Sequence, residues 1–92
     1  MKRAARFIVQ GTVQGIFFRR FVKEHADKLG LVGFVRNLTG GDVEILAEGE
    51  IEKIERLSKF VKKGPEHAQI RHVQIEEKKF SDQFKDFQIL RF

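Results

Sequence analysis

The stretch Gly11–Arg20, GTVQGIFFRR, sets two glycines four residues apart, then three bulky apolar residues, then two arginines. It lies between a segment that reads as a strand and one that reads as a helix. At a helix N-terminus, free main-chain N–H groups and the helix dipole favour an anion. Successive amides turned inward make a nest, and Gly15 permits the backbone twist that a nest requires. Arg19 or Arg20 can then add a two-pronged contact to phosphate, with charge-assisted bonds of ~1.5–3 kcal/mol each. On residue types alone, a tight turn opening a basic helix accounts for the stretch equally well. The loop lacks Gly-Lys-Ser/Thr, so it is not a nucleotide P-loop. Asn37, the only asparagine, ends a strand beside a glycine-rich turn. Its amide either caps the hairpin as an Asx turn or both donates to and accepts from a water molecule.

The rest of the inventory narrows the chemistry. The side-chain hydroxyls are Thr12, Thr39, Ser58 and Ser81, with no Tyr, and none lies in a nucleophile elbow. His25, His67 and His72 lack metal-ligand spacing, and zinc would want sulfur or a tighter cluster. His25 falls on the inner stripe of a helix and reads as structural. The carboxylates mostly take outward positions on the second helix and third strand, and nothing singles out an acid/base pair.

The elements that must position these residues follow from periodicity. Arg6–Gln10 reads as a buried strand. Phe18, Phe21, Val22, His25 and Leu29 keep helical spacing up to Gly30, and 31–37 reads as a second strand. LTGGD supplies a turn, after which Val43, Ile45 and Ala47 alternate as in a half-buried strand. Ile51, Ile54, Leu57, Ser58 and Val61 form a second helical stripe stopped by Gly64–Pro65. Ile70–Glu77 is a fourth strand and Phe87–Phe92 a short last one. The order β–α–β–β–α–β, with an extra strand, predicts a ferredoxin-like α+β sandwich. Its two helices lie on one face of a four- to five-stranded, mostly antiparallel sheet. That fold hosts many functions and selects none.

Ninety-two residues, 41% of them hydrophobic and ten of them Phe, suffice for one domain with its own core. A net charge of +5 favours anionic partners, but the basic residues are scattered and usually have acids beside them, as in EEKK at 76–79. Absence of cysteine suits a reducing cytoplasm. MKRAAR resembles the start of a signal peptide, yet Gln10, Gly11 and Gln14 interrupt the apolar run behind it and no cleavage site appears. No run approaches the roughly 20 apolar residues needed to cross a bilayer. The expectation is a soluble, cytoplasmic chain. High Lys and Glu with one Met and one Asn lean toward a thermophile, against which stand six Gln.

Taken together, two stretches resemble a known family. Gly11-Thr12-Val13-Gln14-Gly15-Ile16-Phe17-Phe18-Arg19 resembles the acylphosphatase signature G-x-V-Q-G-V-x-[FY]-R, with Ile16 for Val the one departure. Gly33-Phe34-Val35-Arg36-Asn37, followed by Gly41, Val43 and Gly49, is similar to that family's second signature. The likeness runs over essentially the whole chain. It implies a metal-independent hydrolase, with no cofactor, that splits acyl phosphates into a carboxylate and inorganic phosphate, water being the nucleophile. Inorganic phosphate would bind as product or inhibitor. By position, Arg19 becomes the phosphate-binding arginine and Arg20 ordinary helix surface. The amides of Gly15, Ile16, Phe17, Phe18 and Arg19 become the cradle, and Asn37 holds the attacking water. The glycines shape the cup and the phenylalanines lock it to the core. Leu38 stands where some relatives have a threonine, which removes a hydroxyl from beside Asn37. The expected oligomeric state is a monomer, with no nucleic-acid or membrane partner.

Two rival readings come from other classes. RNA-recognition domains share the element order and this chain is basic. However, aligning Gly33-Phe34-Val35 to their signature leaves Gly30, Leu31 and Val32 where a base, a glycine and an aromatic belong. A non-catalytic relative, or a module of a larger carbamoyl-processing enzyme, would keep the fold with a different use.

Overall fold

A computed structural model describes residues 1–91. Strand β1 (Lys2–Thr12) is central because alternate residues, Phe7 and Val9, are fully buried while Arg6, Ile8 and Gln10 point the other way. Helix α1 (Ile16–Lys28) follows after three residues and buries Phe18, Val22 and Ala26, the i, i+4, i+8 stripe of an amphipathic helix. Strands β2 (Val32–Asn37) and β3 (Val43–Glu50) form a hairpin, and α2 (Ile51–Lys63) starts directly from the end of β3. It buries Ile54, Leu57 and Val61 and ends at Gly64, whose φ of 74° suits glycine. Strand β4 (Gln69–Lys78) and the short β5 (Phe87–Ile89) complete a five-stranded sheet of order β4-β1-β3-β2-β5. Every pairing is antiparallel except β2 with β5. Both helical stripes meet Phe7, Val9, Val35, Val43, Ile45 and Ala47 in one apolar core.

The fold is the expected ferredoxin-like sandwich with the fifth strand present. The elements run longer than the sequence pattern at β1 and shorter at β5. The expected last strand, Phe87–Phe92, ends at Ile89, and Phe92 lies outside the described residues.

The outward carboxylates of β3 need correction. Glu44 and Glu48 do face away from the helices, yet both are buried, at 5% and 2% exposure. Glu44 accepts from Arg6 Nε at 2.5 Å and Arg36 Nε at 2.6 Å. Glu48 accepts from the Ser81 hydroxyl at 2.7 Å and from the Ser81 and Asp82 amides, which pins the β4–β5 crossing over that face. Buried charge persists where it is paired in this way.

Besides the exposed Met1 amine and Glu50, which pair with each other, two groups tie stability to pH. Burial by itself would raise the Glu44 carboxyl, but hydrogen bonds from Arg6 and Arg36 outweigh it and hold it below its ordinary 4.5. His25, stacked on Phe60 and edge-on to Phe21, is held below its ordinary 6.5 by burial first and then by Lys28. Both values are lowered in the fold, so the unfolded chain takes up these protons first. Their stabilisation is complete above pH 6.5. It is lost in two steps on acidification, His25 below 6.5 and Glu44 below 4.5. Urea midpoints followed from pH 8 to pH 3 should show both declines, and Glu44→Gln should shrink the lower one.

Candidate active site

One end of the sheet gathers the motif residues. Because β1 and β2 are parallel with β3 between them, both run out at the same end. The loop after Thr12 therefore lies on the same sheet end as Asn37, which is paired to Val43 at the start of β3. On the far side of β1, Gln69 pairs with Thr12 and brings the Pro65–Ala68 segment to this end. On the near side, β5 runs parallel to β2 and delivers Leu90.

Local geometry explains the glycines. A Cβ at Gly11 would overlap the Gln69 carbonyl oxygen, and one at Gly33 the Leu46 carbonyl oxygen. These are main-chain approaches that cannot yield. Gly15 meets nothing, but its φ of 108° is one that side chains rarely adopt. It caps α1 without a side-chain acceptor, and the first turn carries no acid. In a helix that starts at Ile16, the N–H groups of Gly15, Ile16, Phe17 and Phe18 have no intrahelical partner. Arg19 is the first residue whose amide has a carbonyl four residues back. The sequence thus leaves a run of unoccupied donors at the positive end of a helix.

Arg19 is half-buried, and its Nε and Nη1 each donate at 3.3 Å, to Gly15 O and Leu90 O. The two bonds steady the guanidinium at its rim, and its remaining donors have no partner among the described residues. Arg20, one residue further round the helix, is exposed. Arg19 and Asn37 line one pocket of about 220 Å³, together with Leu90 and Arg91. The Oδ1 of Asn37 is itself buried, with no hydrogen-bond partner among the described residues. An Asx turn would require that oxygen to accept a backbone N–H. The hairpin closes instead through Leu38 N–H to Asp42 O, at 2.8 Å. A buried acceptor left unpaired costs about 1–3 kcal/mol, so this one calls for a ligand or a water.

The phenylalanines do not act alike. Phe18 is buried and anchors the loop to the core as expected, and Ile16 is half-buried. Phe17 is 81% exposed, so it does not lock the cup to the core. The helical step of about 100° per residue turns Phe17 outward once Phe18 faces in.

Four further residues take roles at the site that residue type and spacing do not reveal. Gln14 Nε2 donates to Leu38 O at 3.0 Å and to Asp42 O at 3.4 Å, clamping the loop to the hairpin that carries Asn37. Leu38 works through its backbone here, as donor to Asp42 and acceptor from Gln14. Leu90 supplies a carbonyl to Arg19 and Arg91 lines the pocket, at a chain end with no spacing pattern. Among the described residues, no three His, Cys, Asp or Glu side chains come together as a metal site would need. No helix among them is long and apolar enough to cross a membrane.

The chain is similar to known proteins of one family. The acylphosphatase family model matches residues 5–89. The acylphosphatase of Alkalilimnicola ehrlichii is 47% identical over 75 residues, 82% of this chain and 84% of that protein. The crystal structure of acylphosphatase from Bacillus subtilis superposes with a TM-score of 0.91 at 37% identity, over 98% of this chain and 99% of that one. The crystal structure of full-length HypF in its phosphate- and nucleotide-bound form contains a similar unit, with a TM-score of 0.88 and 34% identity. The match spans 98% of this chain but only 12% of that protein.

Proposed function

The chain belongs to the acylphosphatase family and hydrolyses acyl phosphates, and from that premise we propose that Arg19 and the loop amides hold the phosphoryl group while Asn37 holds the attacking water. The observation that supports this most directly is the unpaired, buried Oδ1 of Asn37, a residue that lines the same pocket as Arg19. A water there would satisfy that oxygen and be oriented by it.

The reaction asks little covalent chemistry of the protein. The leaving carboxylate has a conjugate acid of pKa ~4, so it departs without a general acid. Phosphoryl transfer through a loose transition state is a matter of positioning and charge stabilisation. Arg19 and the N–H groups from Gly15 to Phe18 neutralise the equatorial oxygens, and the Arg19 amide stands at the rim of this cradle. The water oxygen forms a bond to phosphorus as the phosphorus–acyl oxygen bond breaks, and its electron pair leaves with the carboxylate. The water's proton passes to an oxygen of the substrate's own phosphoryl group, so no protein base is needed. The arginine supplies the positive charge, and the reaction proceeds without metal.

Hydrolysis of benzoyl phosphate in heavy-oxygen water, with a chelator present, tests this route. Label should appear in inorganic phosphate with none in benzoate. Label in benzoate would mean attack at the carbonyl and would remove Asn37 from its role.

We also read the chain as a single-domain, cytoplasmic monomer for which inorganic phosphate is a competitive inhibitor. The absence of cysteine suits that compartment, and the family match reaches nearly end to end. The Lys- and Glu-rich composition favours a thermophilic source.

A further inference from the structure

Beside the cradle, on the side away from Asn37, lies a second depression of about 560 Å³. One wall is α1, through Phe17 and Phe18, and the other is the turn after α2, through Pro65 and Ala68. We propose that this groove receives the acyl group of the substrate, and that it favours apolar, aromatic acyl phosphates over acetyl phosphate.

The inference rests on the reading of Asn37 as holder of the water, and it follows from the direction of attack. In phosphoryl transfer the incoming and departing oxygens lie roughly in line across phosphorus. The order of elements across this end of the sheet is β4, β1, β3, β2, with Asn37 on β2 and the cradle loop leaving β1. A water delivered from the β2 side therefore drives the acyl oxygen out toward the β4 side. That is where Pro65–Ala68 precedes Gln69, the residue paired with Thr12. The groove sits on the exit line, and Phe17 joins it to the cradle, since its amide is one of the unpaired donors and its ring forms the groove wall.

The same geometry explains why Phe17 is left 81% exposed at a position where a polar residue would be better solvated. A ring held in water gains by stacking on an apolar ligand. A methyl group reaches little of that wall, whereas a phenyl ring spans it. Glu66, exposed on the same groove, adds like-charge repulsion against an acyl group that carries its own carboxylate.

The test compares kcat/KM for benzoyl phosphate and acetyl phosphate in the parent chain, in Phe17→Ala and in Ala68→Asp. Phe17→Ala removes one apolar wall, and Ala68→Asp places a charge in the other. The quantity read is the change in the benzoyl-to-acetyl ratio, in which the intrinsic reactivities of the two substrates cancel. Each variant should lower that ratio about tenfold, as expected for lost apolar complementarity. A ratio within twofold of the parent in both variants, with acetyl phosphate still turned over, overturns the proposal. Should Phe17→Ala fail to fold, the ratio in Ala68→Asp decides by itself. Substitutions at Arg19 or Asn37 lower turnover of both substrates alike and leave the ratio standing. Full turnover in Asn37→Ala defeats the underlying site reading, whatever the ratio does.

Discussion

Arg19→Ala should lower kcat/KM for benzoyl phosphate about a thousandfold and weaken inhibition by inorganic phosphate in parallel. Arg20→Ala should stay within about twofold of the parent on both measures. The size of the effect follows from what the guanidinium does. It lines the pocket from the helix, its Nε and Nη1 are steadied by Gly15 O and Leu90 O, and its other donors have no partner among the described residues. Removing one preorganised charge stabiliser typically costs a hundredfold to a thousandfold in rate. In the proposed arrangement the same group also binds the ground-state phosphate, so KM and the inhibition constant move with kcat. Arg19→Lys should rescue only part of the loss, because an ammonium cannot keep both carbonyls and still present a planar fork. Arg20 is the matched control, with the same charge one residue on, directed into solvent. Equal losses in Arg19→Ala and Arg20→Ala would show that only net charge matters and would reject the assignment.

How far the sequence reveals this arrangement depends on whether the signal is local. The helices are legible because the Phe18–Val22–Ala26 and Ile54–Leu57–Val61 stripes are short-range periodicities that packing preserves. The start of β1 is not, because Lys2 and Arg3 fall in a basic stretch that resembles the start of a signal peptide. They are strand residues because of partners far along the chain, Lys2 facing Glu50 and Arg3 joined to Glu77 at 2.7 Å. The burial of Glu44 and Glu48 hides for the same reason, since the residues that cover them come from β1, β2 and the segment after β4. At the site, type and spacing bring out the glycines and the Arg19–Arg20 pair, and only the family resemblance chooses Arg19 between them. The exposure of Phe17, the Gln14 clamp and the Leu90 carbonyl could not. Each depends on which elements end beside one another, and five strands converge on that end only once the sheet is assembled. The two candidate roles of Asn37, turn cap or water holder, differ by a single hydrogen bond that no spacing encodes.

That hydrogen bond sets the second large expectation. Asn37→Ala should leave the inhibition constant for inorganic phosphate within about threefold of the parent while kcat falls on the order of a hundredfold or more. Asn37 makes no claim on the phosphoryl group in this arrangement. The cradle amides come from the start of α1 and the guanidinium from Arg19, so affinity for the ground-state anion survives. What is lost is the placement of the nucleophile, and an error of about 1 Å in a reacting atom can cost a hundredfold. Asn37→Asp separates orientation from charge. Its carboxylate can still accept from the water, but it stands near a phosphoryl dianion, so phosphate inhibition should weaken as well as turnover. A fold effect would look different, since Asn37 ends its strand and Oδ1 has no partner to lose among the described residues. The urea midpoint of Asn37→Ala should therefore match the parent or rise slightly, because an unpaired buried acceptor has been removed. If turnover persisted with the midpoint unchanged, the attacking water would have to be held by some other group. If the midpoint dropped sharply, the turn-capping role would be the true one.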